Sequence, residues 1–369
     1  MLTSLFLLLL ILPCFGLLRE KRNIDLIAEM ENRAIHPVPN SVFGTKAFFR
    51  EFQNWFEDRI LGRKDLIRFW STVNGKLFHV LISKEVAMGR SGYLYYPSYV
   101  TETMSDRMQK LNRISGIKKL CDKYNIPFVF FMVPHGEWML SEFLPDKQKP
   151  ADVKKLESEL KSDLQKRGIS YCMFGTKLNR LPAEERKSMY VWGDYHWNSK
   201  GAFFGAKELL NELQMNKLID DSNLYEEEEK NRGEVYTRKI GWDTIETVAK
   251  IPWCNAWTTE FSIQSHEESR YISGEGNSQK GEIIYKNPHA SHNITLLILG
   301  DSFFGKLQKY LSQDIGVIVL CHNMDIAKPK ENIDLEWLIQ TYKPDFVVYE
   351  KMGGILFSES YYSNFKNWK

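Results

Sequence analysis

The sequence predicts an α/β fold: a doubly wound parallel sheet in a three-layer α/β/α sandwich, with an inserted irregular or β segment. Three observations lead there. Short apolar runs of strand length recur along the second two thirds of the 369 residues. Helical periodicities separate them, and turn signals bound them. The runs are continuous rather than alternating, as expected of parallel strands buried on both faces. Hydrophobic residues make up 43% and charged residues 26% of the chain, the balance of an ordinary folded domain, which excludes a disordered or collagen-like chain.

Taken in order, Met1 to Leu18 carries no charge and holds an unbroken apolar run from Leu5 to Leu12. It reads as a signal peptide or a membrane anchor, at the border between an h-region and a spanning segment. No Lys or Arg precedes the run, whereas Arg19, Lys21 and Arg22 follow it. Taken alone, that distribution favours a cytoplasmic bulk. The chemistry developed below requires export, so a periplasmic or extracytoplasmic location is expected, with the membrane engaged through this segment.

Residues 19–88 read as a linker and an N-terminal helical segment. Pro37 and Pro39 punctuate it. Phe48, Phe52, Trp55, Phe56 and Ile60 then recur at three- and four-residue steps, opposite Arg50, Glu51, Glu57 and Asp58. An amphipathic helix is predicted there.

The catalytic domain is placed at 89–369. Gly89 to Tyr96 reads as a turn entering a strand. Strands are predicted over 127–133, 169–173, 295–299, 316–320 and 345–349. Helices are predicted over 104–123, 151–166, 199–214, 303–313 and 331–342. The rhythm breaks over about 215–291, the inserted segment. Glu226 to Glu229 reads there as a solvated loop, and Trp242, Trp253 and Trp257 suggest short strands.

Several functional classes drop out. Forty-nine basic against 47 acidic residues leave +2, no electrostatic case for nucleic acid. Five cysteines without CxxC spacing exclude a zinc ribbon and a small disulfide scaffold. His289 and His292 form the only close histidine pair and read as a polar loop; neither a metal nor a cofactor is expected.

Two segments carry chemistry. Gly300-Asp301-Ser302-Phe303 follows a strong strand, at the carboxyl end where open α/β sheets bind ligands. Gly300 would allow a tight turn, and a helix starting near Phe303 would aim free amides at Ser302, so that its N–H can serve an oxyanion. The second segment runs from Trp192 to Ala202 and contains Asp194 and His196. A serine hydroxyl needs a base to take its proton, and a histidine held by a carboxylate is the usual one. Each segment also has a plainer reading, Ser302 as a helix cap and Asp194–His196 as a surface turn. Asn198 or Ser199 would cap the helix that follows His196.

Together these segments resemble the SGNH-hydrolase-like proteins of the alginate O-acetyltransferase type (AlgX/AlgJ) and their DHHW branch. Glu31-Asn32-Arg33 with Pro37 and Pro39 is similar to that family's opening motif, and Gly89 to Tyr96 to its glycine–aromatic strand. Val133-Pro134 with Phe143-Leu144-Pro145, Asp194-Tyr195-His196-Trp197 with Gly201-Ala202, Gly300 to Phe303, and Lys343-Pro344-Asp345 continue the series over about 30–369. Asp194 and His196 precede Ser302, the order of the alginate type rather than of ordinary SGNH esterases.

The resemblance implies a triad of Ser302 as nucleophile, His196 as general base and then acid, and Asp194 as orienting carboxylate. It also implies an exported O-acyltransferase, most simply an O-acetyltransferase, acting on hydroxyls of a cell-surface or secreted polysaccharide. The acyl donor would be supplied by a membrane-bound O-acyltransferase. Asn323 is a candidate substrate-binding residue, as a second oxyanion donor. Departures at Gly136, at Leu140 and at Glu350-Lys351-Met352-Gly353 leave the triad intact and bear on substrate contacts. Two alternatives stand beside this expectation: a carbohydrate esterase with the same triad, and a non-catalytic glycan-binding component of a polysaccharide assembly system.

Overall fold

The computed structural model describes residues 35–60, 63–74, 86–97, 107–146, 152–215, 224–233, 235–240, 242, 245–254, 260–264, 282–322, 332–333, 335–353 and 364–365. The chain divides into two compact units, one of residues 1–88 with 234–245, the other of 89–233 with 246–369. Met1 to Leu18 lies outside the described residues, and among these no helix is long and apolar enough to cross a membrane.

In the first unit the predicted amphipathic helix spans Lys46–Glu57. The Thr45 side chain caps it by accepting the Phe48 N–H. Phe48, Phe52 and Phe56 stack along one face with ring centroids 6.1 Å apart at each step. A second helix, Arg63–Thr72, is tied to the helix Val235–Ile240 by Ser71 Oγ, which donates to the Ile240 carbonyl at 2.6 Å.

The second unit is built on a seven-stranded sheet. Its strands are β1 (Phe128–Val133), β2 (Ser170–Met173), β3 (Glu260–Gln264), β4 (Glu282–Lys286), β5 (His292–Gly300), β6 (Ile315–His322) and β7 (Phe346–Met352). They lie in the order β2-β1-β7-β5-β6-β4-β3. The first five in that order pair in parallel, while β4 and β3 extend the β6 edge antiparallel. The inserted segment therefore supplies two strands to the main sheet instead of standing apart from it.

The longer helices among the described residues that connect or flank these strands are α1 (Arg107–Lys123), α2 (Val153–Lys166), α3 (Ser199–Glu212), α4 (Phe304–Asp314) and α5 (Leu335–Tyr342). Every residue of β1 is buried, as it can be only if both faces of the sheet are covered. Leu296, Leu297, Ile298 and Leu299 of β5 are fully buried as well. Each such side chain stabilises the fold by roughly 1.5–3 kcal/mol. These strands fix the base of the turn that carries Ser302.

The connection from β5 through α4 to β6 leaves to one side of β5, and the chain then returns through α5 to β7 on the other side. Such a reversal opens a crevice at the carboxyl end of β5. Gly300-Asp301-Ser302 sits there.

The acidic run differs from expectation. Glu226 to Glu229 belongs to a strand, Leu224–Gly233, paired with Ile245–Cys254 in a two-stranded sheet. Glu226, Glu227 and Glu228 are exposed, while Glu229 is partly buried. Its carboxylate accepts hydrogen bonds from the Ser199 N–H at 2.9 Å, the Ser199 hydroxyl, and Lys306 Nζ at 2.9 Å. Donors from α3 and α4 thus hold it out of solvent. Trp242 is partly buried; Trp257 and the side chain of Trp253 lie outside the description.

Candidate active site

Ser302 is the middle residue of a turn between β5 and α4. The helix starts at Phe304, one residue later than the sequence suggests, and the preceding residue Phe303 makes no side-chain cap. Ser302 is therefore no helix cap, which leaves its hydroxyl for other work. Gly300 does not adopt a positive φ. It is needed for space: a Cβ there would lie 2.9 Å from Glu350 Oε2.

The segment from Val191 to Trp197 folds back on itself before α3. Tyr190 and Trp197 form an antiparallel bridge, and the Val191 N–H donates to the His196 carbonyl at 3.0 Å. Asn198, not Ser199, caps α3, its Oδ1 accepting the N–H groups of Lys200 and Gly201 at 2.9 and 3.2 Å. The loop is thereby joined to a rigid helix.

These two segments meet. His196 Nε2 lies 2.6 Å from Ser302 Oγ, and His196 Nδ1 lies 2.7 Å from Asp194 Oδ1. The same Asp194 oxygen accepts the His196 backbone N–H at 3.1 Å, which locks the carboxylate against its histidine. Such an arrangement can carry a proton from a serine hydroxyl to an imidazole whose cationic form a carboxylate stabilises. Asp194 is buried, whereas His196 and Ser302 keep partial access to solvent.

Aromatic rings set the imidazole in place. Tyr195 and Phe303 lie with ring centroids 4.2 and 4.8 Å from that of His196. Trp197, buried, donates from Nε1 to the Phe303 carbonyl at 2.9 Å, a direct tie between the histidine loop and the Ser302 turn. Its ring sits against α3 where Gly205 leaves room; a Cβ at Gly205 would come within 2.7 Å of it. Sequence reasoning singled out Asp194, His196 and Ser302, which the structure brings together, but not these supports. The Gly201-xxx-Gly205 spacing on α3, following a Trp, was the available signal.

A cavity of about 1000 Å³ flanks the histidine loop, lined among others by Lys187, Tyr190, Trp192, Lys200, Glu226 and Lys250. Trp192 and Lys200 carry it to either end of the loop that bears Asp194 and His196, although neither these two nor Ser302 is among its lining residues. Lys187 Nζ stands 5.1 Å from the Trp192 ring centroid. Asn323, the expected second oxyanion donor, lies outside the described residues.

The family model described as "SGNH hydrolase-like domain, acetyltransferase AlgX" matches residues 86–335. Among solved structures, PatB1 of Bacillus cereus is similar at 17% identity over 75% of this chain and 98% of that chain, with a TM-score of 0.56. PatB1 with a sulfonyl adduct is similar at 16% identity over 76% and 99%, with a TM-score of 0.54. A DHHW family protein from Eubacterium siraeum DSM 15702 is similar at 15% identity over 73% and 90%, with a TM-score of 0.51. No curated protein matches in sequence.

Proposed function

From the premise that the chain belongs to the SGNH hydrolase-like family of acetyltransferase AlgX, we propose that it is a serine-dependent O-acetyltransferase. Its acceptors are hydroxyls of a cell-surface or secreted polysaccharide. The observation that carries this reading is the relay of Asp194, His196 and Ser302, with contacts of 2.7 and 2.6 Å, at the carboxyl end of the sheet.

In the first half-reaction Ser302 Oγ attacks the acyl carbonyl as its proton passes to His196 Nε2. The donor's alkoxide leaves with that proton, and an acyl ester remains on Ser302. In the second, a glycan hydroxyl gives its proton to His196 and attacks the ester. Ser302 recovers the proton as the acylated glycan departs. Asp194 holds the imidazole in the tautomer that presents a free Nε2 to the serine and stabilises the imidazolium in between. The Ser302 N–H, which makes no hydrogen bond among the described residues, is the oxyanion donor at hand. General acid–base transfer contributes ~10²–10⁴-fold, and one oxyanion donor ~10²–10³-fold.

The acceptor is assigned to the cavity beside the histidine loop, where the half-buried Trp192 offers a ring face for a sugar and lysines offer hydrogen bonds. A location outside the cytoplasm belongs to the same proposal: a polysaccharide acceptor requires it, and the apolar Met1 to Leu18, read as an export segment, supports it. The donor is then a membrane-bound O-acyltransferase that delivers the acyl group across the membrane.

One observation favours a second reading. The His196 side chain keeps 22% of its surface exposed, so water can compete with a sugar hydroxyl for the acyl-enzyme, as in an esterase. The test compares wild type with Ser302→Ala, given an activated acetyl ester and glycan oligomers and read by mass spectrometry. Acetylated glycan from wild type alone supports transfer. Free acetate without glycan product, lost in the variant, supports hydrolysis. Equal behaviour of the two proteins removes the triad and leaves a glycan-binding component.

A further inference from the structure

Behind the nucleophile turn lies a pair of buried carboxyl groups that the steps above do not use. Asp301 and Glu350 are both fully buried. Glu350 Oε2 accepts the Asp301 backbone N–H at 2.7 Å. The Asp301 side chain in turn accepts the Phe303 N–H at 3.1 Å and the Met352 N–H at 2.8 Å. Three hydrogen bonds thus clamp the residues on either side of Ser302, two of them to the end of β7. Gly300 keeps the space that the Glu350 carboxyl occupies. The second Glu350 oxygen, Oε1, is buried with no hydrogen-bond partner.

We propose that Glu350 is a positioning residue for Ser302, acting through Asp301 to hold the nucleophile turn where Ser302 Oγ meets His196 Nε2. The inference rests on the reading of Ser302 as nucleophile.

The protonation state gives the proposal its test. Burial, and then the charge of Asp301, push the Glu350 carboxyl well above the usual range, against the pull of Lys351 on the same strand. Asp301 on the nucleophile turn and Lys351 are the charged groups that act on it; Arg113 of α1 acts on the neighbouring Tyr349. Two carboxylates in one dry site repel, so one of them keeps a proton. Glu350 works as the neutral acid. Its ionisation, as the pH rises through that raised value, puts a second negative charge under the turn that must support an oxyanion, and the rate falls.

The experiment follows the rate at which a sulfonyl fluoride modifies Ser302 across pH, and kcat and KM with an activated acetyl ester. The proteins are wild type, Glu350→Gln, Glu350→Ala and Ser302→Ala, with melting temperatures taken alongside. Glu350→Ala should lower the modification rate and kcat by about 10- to 100-fold with little change in KM, as expected of a displaced nucleophile. Glu350→Gln, which keeps an oxygen for the Asp301 N–H and cannot ionise, should restore most of that loss at neutral pH. It should also lack the decline that wild type shows as the pH rises and Glu350 ionises.

If both Glu350 variants follow the wild-type profile, or if Glu350→Gln keeps the decline at rising pH, the proposal is overturned while the triad stands. If wild type and Ser302→Ala react alike, the nucleophile assignment fails and takes this proposal with it. Should Glu350→Ala fail to fold, the Glu350→Gln pH profile alone decides.

Discussion

His196 Nε2 lies 2.6 Å from Ser302 Oγ although 106 residues separate them in the chain. The contact exists because two rigid elements present their ends to each other. Helix α3 fixes the histidine loop from one side, and β5 with α4 fixes the serine turn from the other. Trp197 Nε1, bonded to the Phe303 carbonyl, joins the two directly. The testable consequences concern the relay, this joint, and the groups around them.

Asp194 receives both the ring Nδ1–H and the backbone N–H of His196 on one oxygen. Asp194→Asn preserves the shape but turns the imidazole toward the wrong tautomer. A fall in kcat of about 10³–10⁴-fold is expected, with KM nearly unchanged, in steady-state turnover of an activated acetyl ester.

Trp197→Phe keeps most of the ring and removes the bond to the Phe303 carbonyl. Leaving a buried acceptor unsatisfied costs roughly 1–3 kcal/mol. Both the unfolding free energy and kcat should fall, because the same bond supports the fold and the site. Urea unfolding and turnover measured on one preparation check this.

Gly205→Ala distinguishes packing from helix propensity. In an exposed helix the change stabilises by up to about 1 kcal/mol. Here the new methyl meets the Trp197 ring at 2.7 Å. Overpacking costs roughly 1–3 kcal/mol, so a lower melting temperature is predicted.

Glu229 sets an acid limit on stability. Burial opposes its charge, but hydrogen bonds from Ser199 and Lys306 outweigh burial and hold its carboxyl down at about 2, against an ordinary value of 4.5. A depressed folded value means that the carboxylate stabilises the fold above pH 4.5, and that this contribution is lost as pH falls to about 2. Glu229→Gln should be less stable at neutral pH and show a flatter dependence over that window, read by denaturant unfolding at successive pH values.

Trp192 tests the acceptor cavity. Trp192→Ala should raise KM for glycan oligomers about tenfold or more, the loss of an aromatic face being worth roughly 1–2 kcal/mol. Turnover of a small acetyl ester, which does not reach the cavity, should stay near wild type.

What the sequence revealed follows the range of the interactions. The five parallel strands and their helices were legible because each is a local pattern, an apolar run or a 3.6-residue periodicity. Asp194, His196 and Ser302 were legible because short motifs placed them at turns. The antiparallel attachment of β4 and β3 was not, since strand pairing across an insertion leaves no local mark. Glu229 read as part of a solvated run because its donors, Ser199 and Lys306, are distant in sequence. Gly300 was recognised as necessary, but for turn geometry; its real constraint is the Glu350 carboxyl, supplied by a strand 50 residues further on.

The central claim is that Ser302 carries the acyl group between donor and acceptor. Its most direct test is to mix the protein with an activated acetyl ester, quench it in acid, and map the acetyl group by peptide mass spectrometry. The account predicts one added acetyl group on the peptide containing Ser302, absent from Ser302→Ala and discharged when glycan oligomers are added before the quench. An acetyl group found elsewhere, or one that persists in Ser302→Ala, would contradict it.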